Sequence, residues 1–118
     1  MNENEPKRKD SNTRIIEGLK QSVDHMTDAY ERARHALAVI SAEKDFASYI
    51  GGEFIQAFDV ELLTKSKRYA SAKNSDEALS ATQEVFNGLI GDRTVPQKIV
   101  DRAVKRFKAL TLIPPRVD

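Results

Sequence analysis

An all-α fold, with three or four amphipathic helices in an antiparallel bundle or an extended helical hairpin, is predicted by three features of the sequence. The apolar positions Ile15, Leu19, Val23, Met26, Tyr30, Ala33, Leu37 and Ile40 are separated by steps of 4, 4, 3, 4, 3, 4 and 3. A helix turns once every 3.6 residues, so this spacing keeps one apolar seam on one side of one long helix, as in a coiled coil. No stretch alternates apolar and polar residues as a half-buried strand does. Helix-breaking and helix-capping residues then divide the rest of the chain into segments of helical length.

The chain has 118 residues, the size of one domain with a modest core. Its 19 Lys and Arg against 18 Asp and Glu give a net charge of +1, so no whole-molecule field favours nucleic acid or an acidic substrate. There is no cysteine, which excludes a disulfide framework, a thiolate metal site and a thiol nucleophile. The first residues lack the apolar run of a secretory signal, and no stretch approaches the roughly 20 apolar residues of a spanning helix. A cytoplasmic protein is expected.

Residues 1–12 are polar, include Pro6 and the basic run Lys7, Arg8 and Lys9, and read as a disordered arm. A single helical domain follows over residues 13–113, and 114–118 read as a tail. Asp10, Ser11 and Asn12 offer N-caps for helix one, which carries the seam to about Ala42. Its outer faces hold Glu17, Lys20, Asp24, Asp28, Glu31, Arg32 and Arg34, opposite charges at helical spacing that suit a solvated surface.

A break is expected at Ser41 to Asp45, with Ser41 capping helix two. That helix is placed at about Glu43 to Ala72, with Phe46, Ile50, Phe54, Ala57, Phe58 and Leu62 on one broad face ending near Tyr69. Gly51 and Gly52 lie inside it, at about 1 kcal/mol each relative to alanine. The pair reads either as a close approach by a neighbouring helix or as a break between two shorter ones. Asn74 and Glu77 are spaced as a capping box for helix three, Ser75 to Ile90, with Leu79, Thr82, Phe86, Leu89 and Ile90 inward and Gly91 as a left-handed C-cap. Thr94 and Gln97 form a second such pair, with Pro96 in the first turn of helix four. Helix four is expected over Val95 to Leu110, with Ile99, Val100, Ala103, Val104, Phe107 and Leu110 inward. Pro114 and Pro115 stop it, and Leu112 and Ile113 are expected to fold back onto the bundle.

No pattern signals catalysis. His25 and His35 are ten residues apart, about 15 Å along a helix, too far to share a metal ion. Asp24, Asp28 and Glu31 lie off the apolar seam, unlike the inward carboxylates of bundle metal sites. The glycine pair has none of the spacing of a phosphate loop, and no hydroxyl or amine nucleophile has a base at a recognisable spacing. No enzyme activity, cofactor or metal is expected.

Two basic clusters remain: Lys65, Lys67, Arg68 and Lys73 around Tyr69, and Lys98, Arg102, Lys105, Arg106 and Lys108 on helix four. Lys98, Arg102 and Arg106 repeat at i,i+4 and make one stripe suited to phosphate contacts, and helices three and four can be read as a helix-turn-helix. The other reading is a solvated surface whose long side chains cover apolar neighbours.

Over Lys67 to Phe86 the chain resembles phasins, helical proteins that coat polyhydroxyalkanoate granules. The shared features are the small-residue stretch Ala70-Ser71-Ala72 with Lys73, the turn Asn74-Ser75-Asp76, and Glu77, Leu79 and Gln83 at the start of the next helix. Gly51-Gly52, the Thr94 cap and the defined fourth helix depart from that family's pattern. The resemblance implies a non-catalytic coat that self-associates through helical seams and lays apolar faces on a hydrophobic surface. The expected function is accordingly a non-enzymatic interaction protein whose seam, Ile15, Leu19, Val23, Met26, Tyr30, Leu37 and Ile40, meets a second copy, a helical protein partner or a granule surface. A small nucleic-acid-binding regulator using Lys98, Arg102 and Arg106 is the alternative.

Overall fold

A computed structural model describes residues 24–113, which are all-α: five helices and no strand among the described residues. Helix α1 covers 24–42 and ends where expected; residues 1–23 and 114–118, including the expected arm and tail, lie outside the described residues. Helix α2 is Gly52–Val60 and runs directly into a π-helical turn, Glu61–Lys65; α3 is Lys67–Ala70, α4 Ser75–Gly91 and α5 Gln97–Thr111. The buried side chains of all five share one hydrophobic core.

The buried face of α1 is Ala29, Ala33, Ala36, Leu37 and Ile40, all fully buried. At about 100° per residue, its centre is rotated roughly 40° from that of the seam of large side chains. The alanines decide this. Ala29, Ala33 and Ala36 hold the buried centre of the face, and the large residue Tyr30 lies at its margin, half-buried with Met26.

The 43–51 segment is not the start of helix two. It reverses the chain through successive turns, with Phe46 N–H bonded to Glu43 O at 3.0 Å and Ile50 N–H to Phe46 O at 2.8 Å, and drives Phe46 and Ile50 into the core. Ser41 caps nothing there: its hydroxyl donates to Ala38 O within α1, at 2.9 Å. Gly51 is the N-cap of α2, in extended conformation. A Cβ at Gly51 or Gly52 would meet nothing within 4 Å, so the pair marks a break and no helix approaches it closely.

The π turn is closed by Ser66 N–H to Glu61 O at 2.9 Å, and the Thr64 hydroxyl returns to Val60 O. The extra residue in the turn keeps Leu62 inward and leaves Leu63 outside. Ser66 then accepts from Tyr69 N–H at 3.1 Å, which starts α3 afresh. The break within the expected helix two is therefore double, at Gly51 and at Ser66.

Asn74 caps α4 as expected, accepting from Glu77 N–H at 2.9 Å, while Glu77 reaches back to Lys73 N–H at 3.0 Å. Gly91 remains helical, and among the described residues no glycine has positive φ, so the left-handed C-cap is absent. Thr94 does not cap α5 either. Pro96 holds the N-cap position without a side-chain bond, and the Gln97 amide donates to Asp101 at 2.8 Å. Leu112 and Ile113 do not fold back; they are 63% and 57% exposed, because α5 ends at Thr111 with its side chain already anchored to Lys108 O and Gln83.

At the centre, Phe86 of α4 stacks on Phe107 of α5 with ring centroids 4.2 Å apart and planes 4° apart. Phe54 meets Phe86 edge to face at 5.6 Å, and Phe58 meets Phe107 at 6.2 Å. These four rings, from three helices, are all essentially inaccessible to solvent. Edge-to-face and offset pairs add to the burial term through the ring quadrupoles.

Gly88 is an exposed position inside α4 with open space where a Cβ would stand. Gly88→Ala is expected to raise the unfolding free energy by about 0.5–1 kcal/mol, by removing backbone freedom from the unfolded chain. Urea denaturation checks this, with an unchanged m-value expected.

Tyr69 is buried and donates its hydroxyl to Met26 O at 2.5 Å. Burial, then repulsion from Tyr30, pushes its phenol up to about 12. Tyr30 is also raised, by burial and then by the Asp59 carboxylate it bonds. A folded-state value above the unfolded 10 means that the native state holds its proton longer. That stability is complete below pH 10 and is lost as the pH rises toward 12. Unfolding free energy is expected to fall across that window, and Tyr69→Phe is expected to flatten the fall while lowering stability at neutral pH by about 1 kcal/mol through the lost hydrogen bond.

Candidate interaction surfaces

The seven seam residues separate into three groups. Leu37 and Ile40 are 0% exposed in the chain's own core, so they are closed to a second molecule. That corrects their place in an intermolecular seam: the 43–51 reversal brings Phe46 and Ile50 into the same buried cluster. Met26 and Tyr30 are half-buried at its margin. Ile15, Leu19 and Val23 lie outside the described residues.

Among the described residues, the cover over α1 reaches as far as His25. Its Nδ1 is 3.1 Å from the Ser75 hydroxyl at the first residue of α4, and the next residue, Met26, accepts from Tyr69. The chain between those two partners is the turn from α3 to α4. At this level the described bundle turns back, whereas the apolar pattern of the sequence continues to Val23, Leu19 and Ile15.

The flank of α1 toward α2 is polar and ordered by Asp59. Tyr30 donates to Asp59 Oδ1 at 3.1 Å and Arg34 Nε lies 3.8 Å from the same oxygen. Arg32 pairs with Asp28 at 3.1 Å. One turn beyond Asp59, Leu63 is 57% exposed, and Val60 beside it is 52% exposed.

Of the phosphate candidates, Lys98 is exposed, while Arg102 and Arg106 face carboxylates of the reversal: Arg102 to Asp45 at 2.8 Å and Arg106 to Glu43 at 3.1 Å. Arg102 also lies over the Phe46 ring, 5.3 Å from its centroid. With Lys105 and Ala109 they line a shallow groove of about 340 Å³. The sequence shows the stripe but not this pairing, because Asp45 and Glu43 are 57 and 63 residues away from Arg102 and Arg106 and are brought over by the chain reversal. Each pair is solvent-exposed and contributes at most about 1 kcal/mol, but together they cancel two of the three charges that the stripe offers to phosphate.

The other basic cluster is also interleaved with acids. Lys65 pairs with Glu61 at 3.5 Å, and Arg68 pairs with Glu84 and bonds Ser80. A cleft of about 410 Å³ between the π turn and α4 is lined by these groups together with Val85, Gly88 and Leu89. The Lys65–Glu61 and Arg68–Glu84 pairs take up four of the six charged side chains that line it. His35 is exposed on α1, and among the described residues no three metal-ligating side chains converge. Nor is any described helix long and apolar enough to cross a membrane.

Comparison with protein-family models, curated proteins and solved structures returns no match.

Proposed function

We propose that this protein is a non-enzymatic, self-associating helical protein whose contact surface is the N-terminal half of the seam: Ile15, Leu19 and Val23, with Met26 and Tyr30 at its inner end. One observation carries this reading. The described bundle turns back at His25 and Met26, and the 3–4 apolar spacing continues upstream of that level. An apolar stripe at helical spacing gains stability by burial at about 25 cal/mol per Å², and a second helix with the same spacing is its natural cover.

The reading differs from the sequence expectation in extent. Leu37 and Ile40 belong to the core, so the contact is shorter and more polar at its inner end. A phasin-like coat is the sharpest form of the proposal and rests on the Lys67 to Phe86 resemblance alone. The phosphate-binding alternative is weakened by the pairing of Arg102 and Arg106 with carboxylates.

Leu19→Asp tests the proposal. It is expected to abolish assembly, measured by light scattering, with the helical circular dichroism of the bundle retained. Undiminished assembly would exclude the seam as the contact.

A further inference from the structure

Val60 and Leu63 are large apolar side chains, more than half exposed, on one stretch of helix. We propose that they are the docking surface for the Ile15–Val23 segment of a second copy of this chain. The inference rests on the self-association proposed above and names the surface that receives the seam.

The placement follows from the contacts between α1 and α2. Tyr30 and Arg34 both reach Asp59, whereas Met26 meets Tyr69, so the two helices run antiparallel. Leu63 follows Asp59 by one turn. It therefore lies in the π turn, below Asp59 on the side toward α1, displaced toward the end where Met26 and Tyr69 meet. Tyr30, half-buried, borders the same side from α1. The π turn makes this arrangement: with Leu62 held at 1% exposure in the core, Leu63 is left outside at 57%.

The described chain begins at Asp24, at that same end of the bundle, and 23 residues lie before it. They carry Ile15, Ile16, Leu19 and Val23. A helix continued in register from Asp24 would carry Leu19 on the order of 15 Å past the level of Leu63, at about 1.5 Å per residue. Its own chain reaches the patch only by reversing direction. A second copy, placed antiparallel about a two-fold axis near Asp24, lays the segment over Val60 and Leu63 without any reversal. The same operation returns the favour, so each chain gives one segment and receives one, the self-complementary interface of a two-fold dimer.

The test uses full-length chain. Leu63→Glu and Val60→Glu alter exposed positions, and each is expected to raise the dimer dissociation constant at least tenfold in sedimentation equilibrium, with circular dichroism unchanged. Because the chain has no cysteine, the double substitution Leu19→Cys with Leu63→Cys gives a second reading. Mild oxidation is expected to yield a covalent dimer on a non-reducing gel. If both glutamate variants dimerise like the parent while Leu19→Asp does not, the docking surface is wrong and self-association stands. A disulfide formed only within one chain would place the segment on its own bundle and overturn the proposal. A parent chain that stays monomeric would overturn both readings.

Discussion

Phe86→Ala should cost about 4 kcal/mol of unfolding free energy, a large share of the roughly 5–15 kcal/mol that holds a domain together. Phe86 is fully buried and, like Phe107, touches two of the other rings: it is stacked on Phe107 and met at its edge by Phe54. Its removal takes away a large apolar surface, two aromatic contacts and the filling of the space between α2, α4 and α5. The surroundings have little freedom to close the cavity, because Phe54 is held under the Arg93 guanidinium, 5.0 Å from its centroid, and Phe107 against Phe58. Urea unfolding followed by circular dichroism measures the loss. A cost below about 1 kcal/mol would mean that the aromatic centre is not the core of the fold. Phe86→Leu, which keeps more of the volume, is expected to lose less.

The second large effect is a contrast between two aspartates placed in the same sequence pattern. Leu37→Asp puts a carboxylate in a site with 0% exposure, next to Ala33, Ile40 and the residues of the reversal. Burial of an unpaired charge costs several kcal/mol, and the chain is expected to unfold or to populate the unfolded state heavily at neutral pH. Leu19→Asp, on the proposed contact surface, is expected to leave the unfolding transition of the monomer in place and to remove assembly. The two substitutions change the same residue type into the same residue type, so the difference isolates position. Met26 is a poorer probe, since it packs against the core and its backbone carbonyl holds Tyr69. Should Leu19→Asp unfold the bundle as Leu37→Asp does, the seam would be core along its whole length and the interaction reading would fail.

Those two leucines also show how far a pattern of residues reaches. Periodicity identified helix α1, its C-terminal end, the inward residues of α4 and α5, and the Asn74 cap, because each depends on residues within a few positions of one another. It could not tell which part of the α1 seam is covered by its own chain, since the cover comes from Phe46, Ile50, Tyr69 and Ser75 through long-range packing. The buried face lies about 40° from the seam because alanine gives a weak apolar signal, although Ala29, Ala33 and Ala36 are fully buried. Gly91 and Thr94 carried the right local chemistry for caps and were overruled by neighbours: α4 runs through Gly91, and Pro96 takes the N-cap of α5. The basic stripe was legible as a stripe. Its partners Glu43 and Asp45 were not, because nothing local joins residues 43–45 to 102–106.

The molar mass of the full-length chain, followed by light scattering over a hundredfold range of concentration, tests the central claim most directly. The expected result is a mass that rises from the 13.3 kDa of one chain to at least twice that value as concentration increases. A mass that stays at one chain throughout would contradict it.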